Sequence, residues 1–533
     1  MKGARIPWRL YAVALACAAL WTHNGAAQSF EGGDPPAASN RPATPAGVAP
    51  APLKAVTGFL GNLLGGDRSK PQLDDLKPGA YTPSNEAIGE ARDLAEMQVS
   101  RGLVPLEAFT AYANGVLDRL KAASGQTGVP GQVYVVASGA LDAGATADGN
   151  IYLSVAYLRS LKNEDQLAAL LAHELAHVLL RHHDSNVFTR AQKQFSTYLT
   201  VGMGARNALE AIGNGSSAAK AVLTPNQLKV LGQLEVMIKL SDLALSPAWS
   251  RGQEREADRM GMDLLVRAGY SYEAGLLPWL EMVAQWDETQ RTRAAEQTAQ
   301  KQAALDTLFA SGKLDQGLKQ TLDLGAIQVV NVLSATHDDG RKRLDDLDAY
   351  LVKVYKENLP AAKPTVQPFE AVVSRPAVKA VTEGYARLFE VRDLLARNDT
   401  ARATAQLTPL LARNSALADH ALPNTLMYEA LKAAGKRREA EPYLVRATRA
   451  NPTWWEVYET LALYEKERGN RERTRQLGQA AFEKFSRAPS AYPRLVGLYR
   501  LSGLNDDMQR VVVECKLKQA DMRERCDEAA RAR

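Results

Sequence analysis

The sequence has no long run of one charge: 65 Lys and Arg stand against 60 Asp and Glu, a net of +5, spread over 533 residues. A nucleic-acid partner calls for a concentrated basic footprint, so none is expected. Nor is there an uncharged apolar stretch of the roughly 20 residues that a membrane-spanning helix needs, which excludes a multi-span membrane protein. At 46% hydrophobic and 7% aromatic content the chain is neither collagen-like nor wholly disordered. Cysteine is scarce, with Cys17, Cys515 and Cys526 the whole supply.

What is present begins with a targeting segment. Lys2, Arg5 and Arg9 precede an apolar run from Leu10 to Trp21, and Gly25, Ala26 and Ala27 suit signal-peptidase cleavage, so residues 1–27 are expected to be a signal peptide. Export implies an oxidising compartment, in which Cys515 and Cys526 are expected to bond. A straight helix would hold residues eleven apart far beyond disulfide reach, so the bond requires a turn between them. Residues 28–84 open with a Pro/Ala/Gly-rich stretch that cannot fold and are read as a flexible segment, with folded structure starting near Asn85.

From there the pattern is mostly helical. The exceptions are Gln132–Val136 and Ile151–Val155, whose β-branched and aromatic residues flank an Asp148-Gly149 turn signal and predict strands. In the C-terminal part, Gly435, Gly469 and Gly503 recur at 34 residues, the tetratricopeptide period, with Ala440, Ala447 and Pro452 at fitting positions. A further helical pair, Thr382 to Leu417, extends the array. The expected fold class is therefore mainly α with a small β-sheet over 85–356, a proline-rich joint at 357–378, and an all-α tetratricopeptide solenoid over 379–533.

The segment from Leu167 to His182 carries the chemistry. Asn163 and Gln166 can cap a helix on which His173 and His177 project from one face a turn apart, a spacing that suits two imidazoles on one zinc ion. Glu174 lies alongside, placed to deprotonate a metal-bound water. A third ligand is found about eighty residues on, where Glu254 and Asp258, at i and i+4 on a helix ending near Gly269, share a face. One of them can bind the metal while the other holds a ligand histidine.

The pairing of His173-Glu174-Leu175-Ala176-His177 with the downstream Glu254 to Asp258 motif resembles the M48 zinc metalloproteases, a family that includes CAAX-processing and heat-shock membrane proteases. The resemblance implies an α+β zincin peptidase domain, one Zn2+ per chain, Glu254 as third ligand in preference to Glu256, and Asp258 behind a histidine. Leu141 to Tyr152 is similar to that family's edge strand, with Asp142 where Asn is usual. His337, with Arg343 six residues beyond, resembles a family loop whose histidine lies near the metal and can occupy its open position; here Asp338 replaces the usual proline.

A signal peptide, a peptidase and a repeat tail together resemble exported M48 members. That implies a periplasmic endopeptidase acting on unfolded or misassembled polypeptides, with outer-membrane assembly machinery among its protein partners. Substrate is expected along the edge strand near Ile151, and His337 or Arg343 to support carbonyl polarisation. Residues 186–249 are expected to form a lid and 290–317 a solvated hairpin. Peripheral membrane association stays open. The competing reading is a chaperone or assembly adaptor with a latent or structural zinc site, which binds clients without turnover.

Overall fold

The computed structural model describes residues 70–184, 249–289, 340–355 and 362–531, together with Thr292 and Leu359. The expected signal peptide, all but Trp249 of the expected lid, all but Thr292 of the expected hairpin, and His337 and Asp338 lie outside the described residues.

The N-terminal half is built on a buried helix, Glu164–Leu179, every residue of which is enclosed. Asn163 starts it by accepting a hydrogen bond from the Gln166 amide, while Gln166 Oε1 accepts one from Lys162 N–H at 2.8 Å. Around it pack the helices Glu107–Ala123 and Arg251–Arg267. The latter is opened by a full capping box between Ser250 and Gln253 and closed at Gly269, whose φ of +83 suits glycine.

Among the described residues, five short strands accompany the helices. β1 (Gly79–Ala80) runs parallel to β2 (Gln126–Thr127). The second sheet has the order β3 (Val133–Val136), β5 (Ile151–Ser154), β4 (Ala143–Ala145), with β5 parallel to β3 and antiparallel to β4. Asp148 and Gly149 turn the chain between β4 and β5, as expected. Ile151, however, lies in the central strand, hydrogen-bonded on both sides; the sheet edges are β3, whose outer side is partly paired with Gly102 and Val104, and β4.

Two boundaries also differ from expectation. Residues 71–84, read as flexible, are tied down: the amides of Gln72 and Leu73 donate to Tyr350 Oη and Asp263, and Leu73 and Tyr81 enter the core. A segment with so few apolar residues is held by hydrogen bonds, which hydrophobic periodicity does not register. The proline-rich joint is likewise fixed. The Thr365 carbonyl accepts from Glu164 N–H, its amide donates to Asp165, and a short helix Gln367–Val373 buries Phe369 and Val372.

Beyond it the helices pair as a tetratricopeptide-like solenoid: Pro376–Ala396 with Thr400–Leu410, Ala421–Ala433 with Arg437–Arg449, Trp455–Glu467 with Arg471–Lys484, and Ala491–Leu501 with Asn505–Lys518. Gly435, Gly469 and Gly503 each sit just past the first helix of a pair at positive φ, and the residue after each donates back five positions. The last described helix, Arg523–Arg531, is joined to the preceding helix by the expected Cys515–Cys526 disulfide, with a 3-10 turn at Ala520–Met522 between. The array leans on the N-terminal half through Trp454 against Gly102, Phe389 against Gly139, and the Ser490 amide donating to Glu96. Among the described residues no helix is long and apolar enough to cross a membrane.

Candidate metal centre

Four of the seven histidines, His173, His177, His182 and His183, lie within or just beyond one helix. His173 and His177 stand a turn apart with their Nε2 atoms 3.3 Å from each other. The second helix, Arg251–Arg267, crosses here and delivers Glu254, whose Oε2 lies 3.5 Å from His173 Nε2. The three donor atoms all fall within 4.8 Å of one another and all three residues are buried. Tetrahedral zinc with bonds near 2.0–2.1 Å separates its ligands by about 3.3 Å, so the donor set fits such an ion.

Electrostatics agree. Burial works against a charged His173 imidazole, yet Asp258 and Glu254 outweigh it and hold the group up at about 9, the mark of a place that favours positive charge. His177 goes the other way: burial and the neighbouring His173 push it well below its ordinary value, leaving a neutral ring with a lone pair to offer. Asp258 Oδ1 is 2.9 Å from His173 Nδ1, behind the ring as seen from the other donors.

Arg343 reaches the same cluster from the helix Gly340–Tyr355. Its Nε and one terminal nitrogen bond the two Asp258 oxygens at 2.8 and 2.6 Å, and the other terminal nitrogen lies 3.4 Å from Glu254 Oε2. Burial disfavours its charge, but the two carboxylates raise its proton affinity above the ordinary value. A guanidinium so engaged braces the carboxylates of Asp258 and Glu254 against each other.

Glu174 is buried among these groups. Desolvation lifts its carboxyl to about 7, the backbone of Ala145 in β4 donates to it, and its Oε2 has no hydrogen-bond partner among the described residues. β4 is held in place from two sides. His183 Nε2 bonds the Ala145 carbonyl at 3.0 Å, and Asp93 accepts from Thr146 and Asn150 of the turn and from Tyr152 of β5.

The sequence reading singled out neither His182 nor His183 and set Glu256 aside. Yet His182 Nδ1 is 2.9 Å from His177 Nδ1 and its Nε2 is 3.3 Å from Glu256 Oε2. Trp249 stacks on the His177 ring at 4.4 Å. No pattern in the sequence marks these contacts, because they depend on a chain reversal after the helix.

Residues 109–351 match the family described as Peptidase family M48. The chain is 29% identical over 213 residues to the beta-barrel assembly-enhancing protease of Escherichia coli strain K12, covering 39% of this chain and 40% of that one. To its Yersinia pestis counterpart it is 27% identical over 207 residues, covering 38% and 39%. To the mitochondrial metalloendopeptidase OMA1 of Schizosaccharomyces pombe it is 28% identical over 213 residues, covering 40% and 53%. The matches thus span between two fifths and about half the length of these relatives. The family match takes in every residue that builds the centre.

Proposed function

We propose that this chain is a zinc-dependent endopeptidase that cleaves unfolded or misassembled polypeptides, holding one zinc ion through His173, His177 and Glu254. The observation that carries the reading is Glu174 Oε2, buried without a partner among the described residues beside three donors spaced for a tetrahedral ion. A purely structural metal site has no use for such a carboxylate. Zinc bound here would supply Lewis acidity, acidifying a water and polarising the scissile carbonyl. Glu174 takes the proton of the attacking water and returns it to the departing amine. Asp258 orients His173, and Arg343 keeps the two carboxylates together.

The substrate is an extended chain laid beside β4, the edge strand that touches Glu174 through Ala145; main-chain pairing demands no particular sequence. The names of the bacterial relatives point to β-barrel assembly. We extend that, with the expected signal peptide, to periplasmic quality control of outer-membrane proteins in which the repeat array receives protein partners. His337 is proposed to gate the open metal position.

The test is casein cleavage by the mature protein beside Glu174→Gln and His337→Ala, with zinc measured on each. Cleavage by the wild type, lost in Glu174→Gln although zinc stays, is the expected result; faster cleavage by His337→Ala marks the gate. Zinc at one per chain with no cleavage by any of the three replaces this reading with the client-binding adaptor.

A further inference from the structure

We infer that His182 and Glu256 are positioning residues that aim the His177 imidazole at the metal; the inference rests on the metal reading above. His177 turns Nε2 toward the other donors, which leaves Nδ1 facing His182 Nδ1 at 2.9 Å. Two ring nitrogens this close share one hydrogen. Once Nε2 gives its lone pair to an ion, the hydrogen must sit on His177 Nδ1, so His182 Nδ1 accepts it. The His182 proton is then on Nε2, 3.3 Å from the Glu256 carboxylate. Every tautomer in the line follows from its neighbour.

The backbone is shaped to make this contact. Arg181 adopts φ of +53, a left-handed conformation rare for a residue with a side chain, and the 3-10 turn His182–Asp184 swings His182 back over the helix end. Gln253 Nε2 donates to the His182 carbonyl at 3.3 Å, so the capping box of the Glu254 helix also fixes this turn. The two ligand histidines are thus served differently: Asp258 meets His173 directly, whereas Glu256 reaches His177 through an intervening imidazole.

Zinc affinity, measured by chelator competition on the purified mature protein, tests this without reference to catalysis. His182→Phe keeps the packing but offers no acceptor; His182→Asn places an acceptor close to the lost Nδ1. The expected order is a loss of about 10- to 100-fold for the Phe variant, most of the affinity kept by the Asn variant, and a smaller loss for Glu256→Gln. A Phe variant that binds zinc as tightly as the wild type, or better than the Asn variant, overturns the proposal while leaving the metal reading intact. A wild type that binds no zinc overturns both.

Discussion

Gly261 passes so close to His173 that a methyl group on it would stand 3.0 Å from the His173 nitrogen and 3.1 Å from its Cα. This contact sets the separation of the two ligand-bearing helices, and with it the reach of Glu254. Gly261→Ala therefore forces backbone against backbone at about 1–3 kcal/mol and loosens the metal site. Gly252→Ala, in the same helix, meets nothing nearer than 3.8 Å. Urea unfolding and zinc content of the two variants should diverge, with Gly252→Ala near wild type; equal behaviour would refute the spacing argument.

Arg343 neutralises two buried carboxylates. In Arg343→Met the carboxylates of Asp258 and Glu254 stay buried with His173 alone beside them, so the metal-free protein should lose stability, by up to about 3–5 kcal/mol. Arg343→Lys keeps the charge and should lose less. A change below 1 kcal/mol for the Met variant in denaturant titration would show that the pair is not holding the cluster.

Asp93 provides a pH test away from the metal. Desolvation raises its carboxyl above the ordinary 3.8, although Asn150, Thr146 and Tyr152 donate to it. The folded state thus keeps this proton longer than the unfolded one, and the stability it confers is complete below the unfolded value and falls as pH rises through the raised folded value. Asp93→Asn does not titrate. The difference in melting temperature between Asp93→Asn and wild type should therefore shift in favour of the variant as pH increases from 3 to 7; a constant difference would contradict this.

The Cys515–Cys526 bond closes a small loop that fastens the last helix to the solenoid. Loop-closure entropy for such a ring is worth about 3 kcal/mol. Cys515→Ser should lower the unfolding midpoint of the repeat region, reductant should do the same to the wild type, and zinc content should be unaffected. Indifference to reductant would count against the bond.

Much of this was legible in the sequence, for identifiable reasons. His173, Glu174 and His177 are close in the chain, and helix periodicity alone puts them together. Gly435, Gly469 and Gly503 recur because each ends a helix in a left-handed turn. The first pair, expected from the helical pattern of Thr382 to Leu417, lacks the glycine: Asn398, at φ of +60, performs the same turn with the same backbone bond from Asp399 to Leu394, away from the 34-residue interval. A shared helix face could not say which of Glu254 and Asp258 meets the metal, since the difference lies in how the two helices cross. His182 and Glu256 depend on the backbone at Arg181, which no side-chain pattern announces.

The cluster that unites Glu254, Asp258 and Arg343 with the histidine pair also imposes an order in time. A growing chain presents His173 and His177 first, Glu254 and Asp258 later, Arg343 later still, and only afterwards Thr365, which pins the start of the histidine helix. A nascent chain that has not reached these residues holds two imidazoles without the carboxylate or its brace. The cluster of His173, His177, Glu254 and its brace is therefore among the last parts of its domain to be completed, and a chain truncated before Arg343 cannot assemble it.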